Sequence, residues 1–431
     1  MLVFTVLLKL TLNEFEDDDR HLLVQRSQNR PLAEADRAKW ETHIIRSNVS
    51  RVHLHSVPSP KDPPIPLFSS EESQHLWPDY AYGDDRILSQ LQYVPSVYRL
   101  GHQYTKVIYV PGGLGETPDG RTKFLSDECP VDNCRLTTNR SEQATAHAVL
   151  LQSGSSQEDM FEKPPGQIWI LWLLESPMNT IGYSHLGNRV NWTATYRRDS
   201  TIVTPYEKFL SFANASAVIR AGSSVNYAAG KTKMAAWFVS NCGAKNQRWE
   251  LVDELKQHFD VDIYGACGTF TCFRADKEKC FNMLSKDYKF YLSFENSNCR
   301  DYITEKFFWN ALLNNVVPVV LGAHKEDYIA AAPPNSFIHI EDFPTVKALA
   351  DHLKELNTND ERYSEYFRWK GSGSFINTKF WCRLCTLLHT VPTEGKVTWY
   401  ENVDKWWKEA RVCTHDRWDN PEAIVSNWPH F

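Results

Sequence analysis

Short apolar runs alternate with stretches of helical spacing along most of this chain, and polar residues cluster where the runs end. From about residue 82 the rhythm is regular. Lys106–Val110 and Gln167–Leu174 read as buried strands, as do Ala235–Ser240, Val261–Tyr264, Phe290–Phe294 and Pro318–Gly322. Tyr328-Ile329 and Phe337–Ile340 continue the series. Between them, Arg248–His258 places Leu251, Leu255 and Phe259 on one face, and Val346–Leu356 is a second helix. Thr304 can cap a helix whose apolar positions Phe307, Phe308, Ala311 and Leu312 recur at helical spacing. The pattern predicts an α/β chain of βαβ units with parallel sheets.

In such sheets ligands bind outside the carboxyl ends of strands, and phosphates favour helix N-termini. The stretch after Phe294 therefore stands out: Glu295, Asn296, Ser297, Tyr302, Thr304, Glu305 and Lys306 fall between a strand and a helix. Glu175 similarly ends the strand Ile168-Trp-Ile-Leu-Trp-Leu-Leu174, so its carboxylate emerges at a sheet edge. Gly112-Gly113-Leu-Gly115 also follows a strand, but Pro118-Asp-Gly120 continues it as a turn, which argues against a dinucleotide loop.

The string FENSNCRDYITEK, Phe294–Lys306, resembles the donor signature of the α1,3-fucosyltransferase family. The resemblance extends to Glu175-Ser-Pro177, Thr195–Ser200, Val239–Asn241, Val261–Gly265, Ser336–Phe343 and Tyr366–Trp369, covering about residues 85–410. It implies a GT-B fold, two Rossmann-like domains facing a cleft, with the acceptor domain first. The expected organisation is a stem at 1–81, an acceptor-side domain at 82–230, a GDP-fucose-binding domain at 231–400 and a tail at 401–431. It also implies an inverting transfer of L-fucose from GDP-β-L-fucose to an N-acetylglucosamine of a glycoprotein N-glycan.

Residue by residue, the resemblance makes Glu175 the base that takes the acceptor proton. Arg248 and Lys306 are expected at the diphosphate, since Arg offers a fork and Lys a point charge. Glu295 and Glu305 would repel an anion and are expected to accept hydrogen bonds from sugar hydroxyls. Asn296, Ser297, Tyr302 and Thr304 complete the expected donor pocket, with Asn241 and Tyr264 as secondary members. The Arg197-Arg198-Asp199 cluster is equally suited to donor contact and to structural ion pairs. The segments Cys129–Cys134 and Phe375–Cys382 look more like the core-modifying branch, favouring the innermost GlcNAc over an outer lactosamine antenna. A glycan-binding relative without activity and a transferase for another nucleotide sugar are the alternatives.

Composition narrows the setting. Net charge of −6 leaves no basic footprint for nucleic acid. Ten cysteines and sequons at Asn48, Asn139, Asn191 and Asn214 point to the secretory pathway. Cys382 and Cys385 are expected to bridge locally, with Cys129/Cys134 and Cys267/Cys272 as similar close pairs, while longer bridges among the others stay open. Cys382, Cys385 and His389 resemble half a zinc site, but a second CxxC is missing. No Asp-x-Asp string reads as a metal-held nucleotide-sugar motif, so no metal cofactor is required, and manganese is expected at most as a stimulant. The resemblance implies a single-pass type II Golgi membrane protein with a lumenal catalytic domain. The apolar stretch Met1–Leu12 is too short to span a bilayer and reads as a truncated anchor. Five prolines between Pro58 and Pro66 mark an extended stem.

Overall fold

The computed structural model describes residues 76–78, 84–101, 104–155, 160–394, 399–409, 411–415 and 418. The expected anchor and nearly all of the expected stem lie outside these residues. The described chain divides into two compact units, one drawn from Leu88–Trp169 and Trp381–Lys396, the other from Gln74–Ile87, Ile170–Phe380 and the segment from Val397 onward. The second unit's five-stranded sheet begins at Lys233, close to the expected boundary at residue 231.

In the first unit, β1 (Lys106–Tyr109) pairs in parallel with β2 (Cys134–Thr137) and β3 (Ala148–Gln152). The helix Phe380–Glu394 belongs with them, because Cys382 and Cys385 bond to Cys129 and Cys134 respectively. This corrects the expected local bridges. In a helix, residues three apart share one face, so the two sulfurs project together onto the segment 129–134, where each meets its own partner. Cys242–Cys267, Cys272–Cys280 and Cys299–Cys413 complete five disulfides that use all ten cysteines. Cys267 and Cys272 are therefore not partners either. The grouping of Cys134, Cys385 and His389 is unsuited to a metal, since both sulfurs are spent on a disulfide and His389 Nε2 faces the Asn133 carbonyl.

Strand β4 (Ile168–Leu173) leads into the second unit, where it pairs in parallel with β5 (Trp192–Thr195), followed by β6 (Ile202–Val203). β7 (Lys208–Ser211) forms a small antiparallel ribbon with β14 (Gly373–Ile376). The larger sheet contains β8 (Lys233–Phe238), β9 (Val261–Tyr264), β10 (Tyr288–Phe294), β12 (Val317–Leu321) and β13 (Ile338–His339), all parallel, in the order β13-β12-β10-β8-β9. Every residue of β10 and β12 is buried, β12 as an unbroken apolar run and β10 with Lys289, bonded to the Asn357 carbonyl and Asp360, and Ser293 among its apolar residues. Leaving β8, the chain builds β9 on one side and then crosses to β10 on the other. The order thus reverses between β8 and β10, and their carboxyl ends form the switch point where such sheets hold ligands.

Two expected elements differ. Tyr328-Ile329 lies in the helix Lys325–Ala331, because the His324 side chain accepts from the Glu326 amide and Glu326 and Asp327 fill the first turn. The helix after Thr304 is a π-helical turn, Lys306–Ala311, passing into a 3₁₀ turn at Leu312–Asn314. Short π segments of this kind recur at functional sites. Finally, β11 (Asn298–Cys299) pairs antiparallel with β15 (Cys413–Thr414), and the Cys299–Cys413 disulfide crosses that pair.

Candidate active site

Two loops of the second unit meet at a carboxylate. Glu175 stands two residues past β4, half-buried, and one of its oxygens gathers three donors. The Tyr302 hydroxyl lies at 2.7 Å, the Ser176 amide at 2.7 Å and the Asn296 side-chain amide at 3.4 Å. The other oxygen accepts nothing among the described residues. Next to it, the Ser176 and Ser297 hydroxyls pair at 2.7 Å, and the Asn179 amide donates to both, at 3.2 and 3.0 Å. Both serines are buried. The loop after β4 is thereby joined to the loop after β10 through hydroxyls that both donate and accept.

Glu295 is placed differently. It is fully buried, and both oxygens are occupied: the Thr304 amide and hydroxyl reach Oε1 at 2.8 Å each, while the Thr304 hydroxyl (2.9 Å) and Lys306 Nζ (3.1 Å) reach Oε2. Lys306 Nζ also donates to Glu305 at 3.1 Å. Burial raises the Glu295 carboxyl above its ordinary range. Burial alone would lower the Lys306 ammonium, but its two glutamates hold it above its ordinary value. Gly322 makes room for this arrangement, since a Cβ there would sit 2.7 Å from the Glu295 side chain. Glu295 thus braces the loop instead of presenting an open acceptor to sugar.

At the switch point, Arg248 is 3% exposed and donates to the backbone carbonyls of Phe294 (2.9 Å) and Asn241 (2.6 Å). It ties together the ends of β8 and β10. Burial lowers its pKa, and it forms no ion pair among the described residues. A buried cation left without a carboxylate is costly unless an anion joins it. The preceding Gln247 is in the left-handed region at φ 57°, and Asp301, before Tyr302, is likewise at φ 59°. Such backbone is held only where its surroundings fix it. For Asp301 they do: Arg198 binds it at 2.8 Å, and Asp327, itself paired with Arg198 and Arg300, accepts from its amide. Arg197–Asp199 and Arg198–Asp301 thus form ion pairs, one of the two roles the sequence allowed this cluster.

The structure brings together Glu175, Asn296, Ser297 and Tyr302, and sets Glu295, Thr304, Glu305 and Lys306 in a second connected group. Asn241 contributes its carbonyl to Arg248, while its side chain accepts from the Gly243 amide. Tyr264 stands apart. Its hydroxyl pairs with Tyr288 at 2.8 Å and its ring packs on Phe238 and Phe270. Ser176 and Asn179 are not among the residues expected from the sequence, although they closely follow Glu175. Neither is Asn246, which donates to the Glu295 carbonyl at 3.0 Å and to the Asn298 side chain at 2.9 Å. Its position two residues before Arg248 is the one signal that points to it.

Residues 228–406 match "Glycosyltransferase family 10 (fucosyltransferase) C-term", and residues 105–207 match "Fucosyltransferase, N-terminal". The chain is 46% identical over 345 residues to glycoprotein 3-alpha-L-fucosyltransferase A of Drosophila melanogaster, covering 79% of this chain and 68% of that protein. It is 37% identical to alpha-(1,3)-fucosyltransferase 7 of Rattus norvegicus, over 66% of this chain and 76% of the relative. A crystal structure of an alpha1,3-fucosyltransferase aligns with TM-score 0.45 and 16% identity, covering 72% of this chain and 94% of the other.

Proposed function

The chain belongs to the fucosyltransferases of glycosyltransferase family 10, and from that premise we propose that it moves L-fucose from GDP-β-L-fucose to O3 of a GlcNAc in glycoprotein N-glycans. The acceptor oxygen attacks the anomeric carbon, the bond from that carbon to the diphosphate breaks, and GDP leaves with the electron pair. Glu175 takes the acceptor proton, and displacement from the opposite face converts β to α. The observation that carries this reading is the Glu175–Tyr302 hydrogen bond, which joins the base to the FENS-to-YxTEK loop. Three donors hold one oxygen, leaving the other to take the proton.

Arg248 supplies a buried positive charge at the switch point that fits the donor diphosphate. Lys306, on the loop after β10, is already paired with Glu295 and Glu305, which leaves Arg248 as the principal cation for the donor, and neither residue calls for an obligatory metal. The acceptor is the core GlcNAc. Its support is the likeness of Cys129–Cys134 and Phe375–Cys382 to the core-modifying branch, while the higher identity to the fly glycoprotein 3-alpha-L-fucosyltransferase A than to the rat alpha-(1,3)-fucosyltransferase 7 supports a glycoprotein acceptor. The enzyme works in the Golgi lumen from a type II membrane anchor. Five disulfides and exposed sequon asparagines at Asn139 and Asn214 support that setting, whereas Asn191 is buried. Among the described residues no helix is long and apolar enough to cross a membrane.

The test is transfer by the purified protein, with several nucleotide sugars offered to a core-exposed N-glycan and to a lactosamine-capped one, scored by product mass and linkage. A fucose increment on the core glycan alone supports the whole reading. Addition only to the capped antenna overturns the acceptor assignment, and no transfer from GDP-fucose to either overturns the function.

A further inference from the structure

The short helix Val403–Trp407 reaches the catalytic loop by two separate routes. In the first, the Trp407 indole N–H donates to the Thr180 hydroxyl at 2.8 Å, and an Asp404 carboxylate oxygen accepts from the Tyr183 amide at 2.8 Å. Both partners lie on the segment that leaves Glu175. In the second, the fully buried Trp407 ring packs on Tyr196 (5.8 Å between centroids), and Tyr196 packs on Tyr302 (5.0 Å). The Tyr302 hydroxyl is the one that binds Glu175.

The helix is itself anchored. Its Asn402 side chain caps it, Arg197 donates to the Trp406 carbonyl at 2.9 Å, and the Trp406 indole donates to Asp199 at 3.0 Å. Farther on, the Cys299–Cys413 disulfide fixes the following segment to the loop after β10. Both loops that meet at Glu175 are thus held by the same stretch of chain, although the family match ends at residue 406.

We propose that Val403–Trp407 is a positioning element for Glu175, with Asp404 and Trp407 as its positioning residues, a role that rests on the base assignment above. Neither residue touches the carboxylate. Asp404 sets the path of the chain after Glu175, and Trp407 sets the place of Tyr302 through Tyr196. Small displacements of a catalytic group are expensive in rate while leaving ligand affinity nearly untouched.

The experiment compares Asp404→Ala, Asp404→Asn and Trp407→Phe with wild type. It measures kcat and KM for GDP-fucose, GDP affinity by calorimetry and melting temperature with GDP bound. Asp404→Ala is expected to lower kcat roughly 10–100-fold, with donor KM and GDP affinity within about twofold. Asp404→Asn keeps an acceptor for the Tyr183 amide and should recover kcat to within about threefold. Trp407→Phe keeps the ring contact, loses the Thr180 bond and should fall between them. Wild-type kcat in Asp404→Ala, parallel loss of kcat and GDP affinity, or failure of Asp404→Asn to recover would each overturn the proposal. Absence of transfer by the wild type would instead remove the functional reading on which it rests.

Discussion

Glu175 and Glu295 both stand just beyond the end of a parallel strand, and their surroundings make them opposites. Glu175 is half-buried, with one oxygen held by Tyr302, Ser176 and Asn296 and the other unengaged among the described residues. Glu295 is fully buried, with each oxygen taken up by Thr304 or Lys306. Burial raises the Glu295 carboxyl above its ordinary range, but with both oxygens already taken up by fixed donors it presents no free lone pair to a substrate hydroxyl. Glu175, with one oxygen open, can meet an acceptor hydroxyl. The contrast is what the proposed division rests on, with Glu175 as base and Glu295 as a brace for the loop after β10.

The sharpest way to break this contrast is to neutralise each carboxylate in turn. Glu175→Gln keeps shape and deletes the base, so kcat should fall by roughly 10²–10⁴ while GDP affinity and melting temperature hold. Near-normal turnover would show that the proton goes elsewhere. Glu295→Gln strips Lys306 of one of its two carboxylate partners and should cost about 1–3 kcal/mol in denaturant unfolding, since Glu305 remains. A stable Glu295→Gln with selectively reduced kcat would reverse the two roles.

The placement of both carboxylates is legible in the sequence. Glu175 ends one apolar run and Glu295 follows another, so their strand-end positions follow from local pattern alone. What each carboxylate does is not legible there. That depends on Tyr302, 127 positions from Glu175, and on whether Thr304 turns back onto Glu295. Spacing fixes which face a residue shares but not which distant residue meets it. The same limit holds for the cysteines. Cys382 and Cys385 are adjacent on a helix face, yet their partners lie 253 and 251 positions away. Trp407 is one of fifteen tryptophans in the sequence, and nothing in its spacing sets it apart, because its link to Glu175 runs through Tyr196 and Tyr302.

A smaller effect lies beside the Glu295 loop. His339 ends β13, where its Nδ1 accepts from the Glu341 amide at 3.2 Å and its Nε2 faces the Ala323 carbonyl. Burial pushes its pKa down from 6.5 to about 4. Above pH 6.5 the ring is neutral in both folded and unfolded chains and contributes no pH dependence. As pH falls from 6.5 to about 4 the unfolded chain takes up the proton first, so stability is lost through that window, by up to about 3 kcal/mol. His339→Asn can still cap the turn at Glu341 but cannot titrate. Unfolding measured at pH 7 and pH 5 should show a smaller acid loss in the variant. An equal loss would place the acid-sensitive group elsewhere.

The smallest expected effect separates ring from hydroxyl at Tyr196, which lies between Trp407 and Tyr302. Its ring carries the contact to Tyr302, while its hydroxyl is buried and finds no hydrogen-bond partner among the described residues. A buried hydroxyl without a partner costs free energy that a phenylalanine avoids. Tyr196→Phe should therefore raise stability by about 1 kcal/mol and leave kcat within about twofold, since the ring packing survives. Tyr196→Ala removes the ring and should lower kcat without a matching loss of GDP affinity. If Tyr196→Phe instead lost activity as heavily as Tyr196→Ala, the hydroxyl would have to meet the substrate in the working enzyme. The aromatic path from Trp407 to Glu175 would then be part of the substrate site and not merely its support.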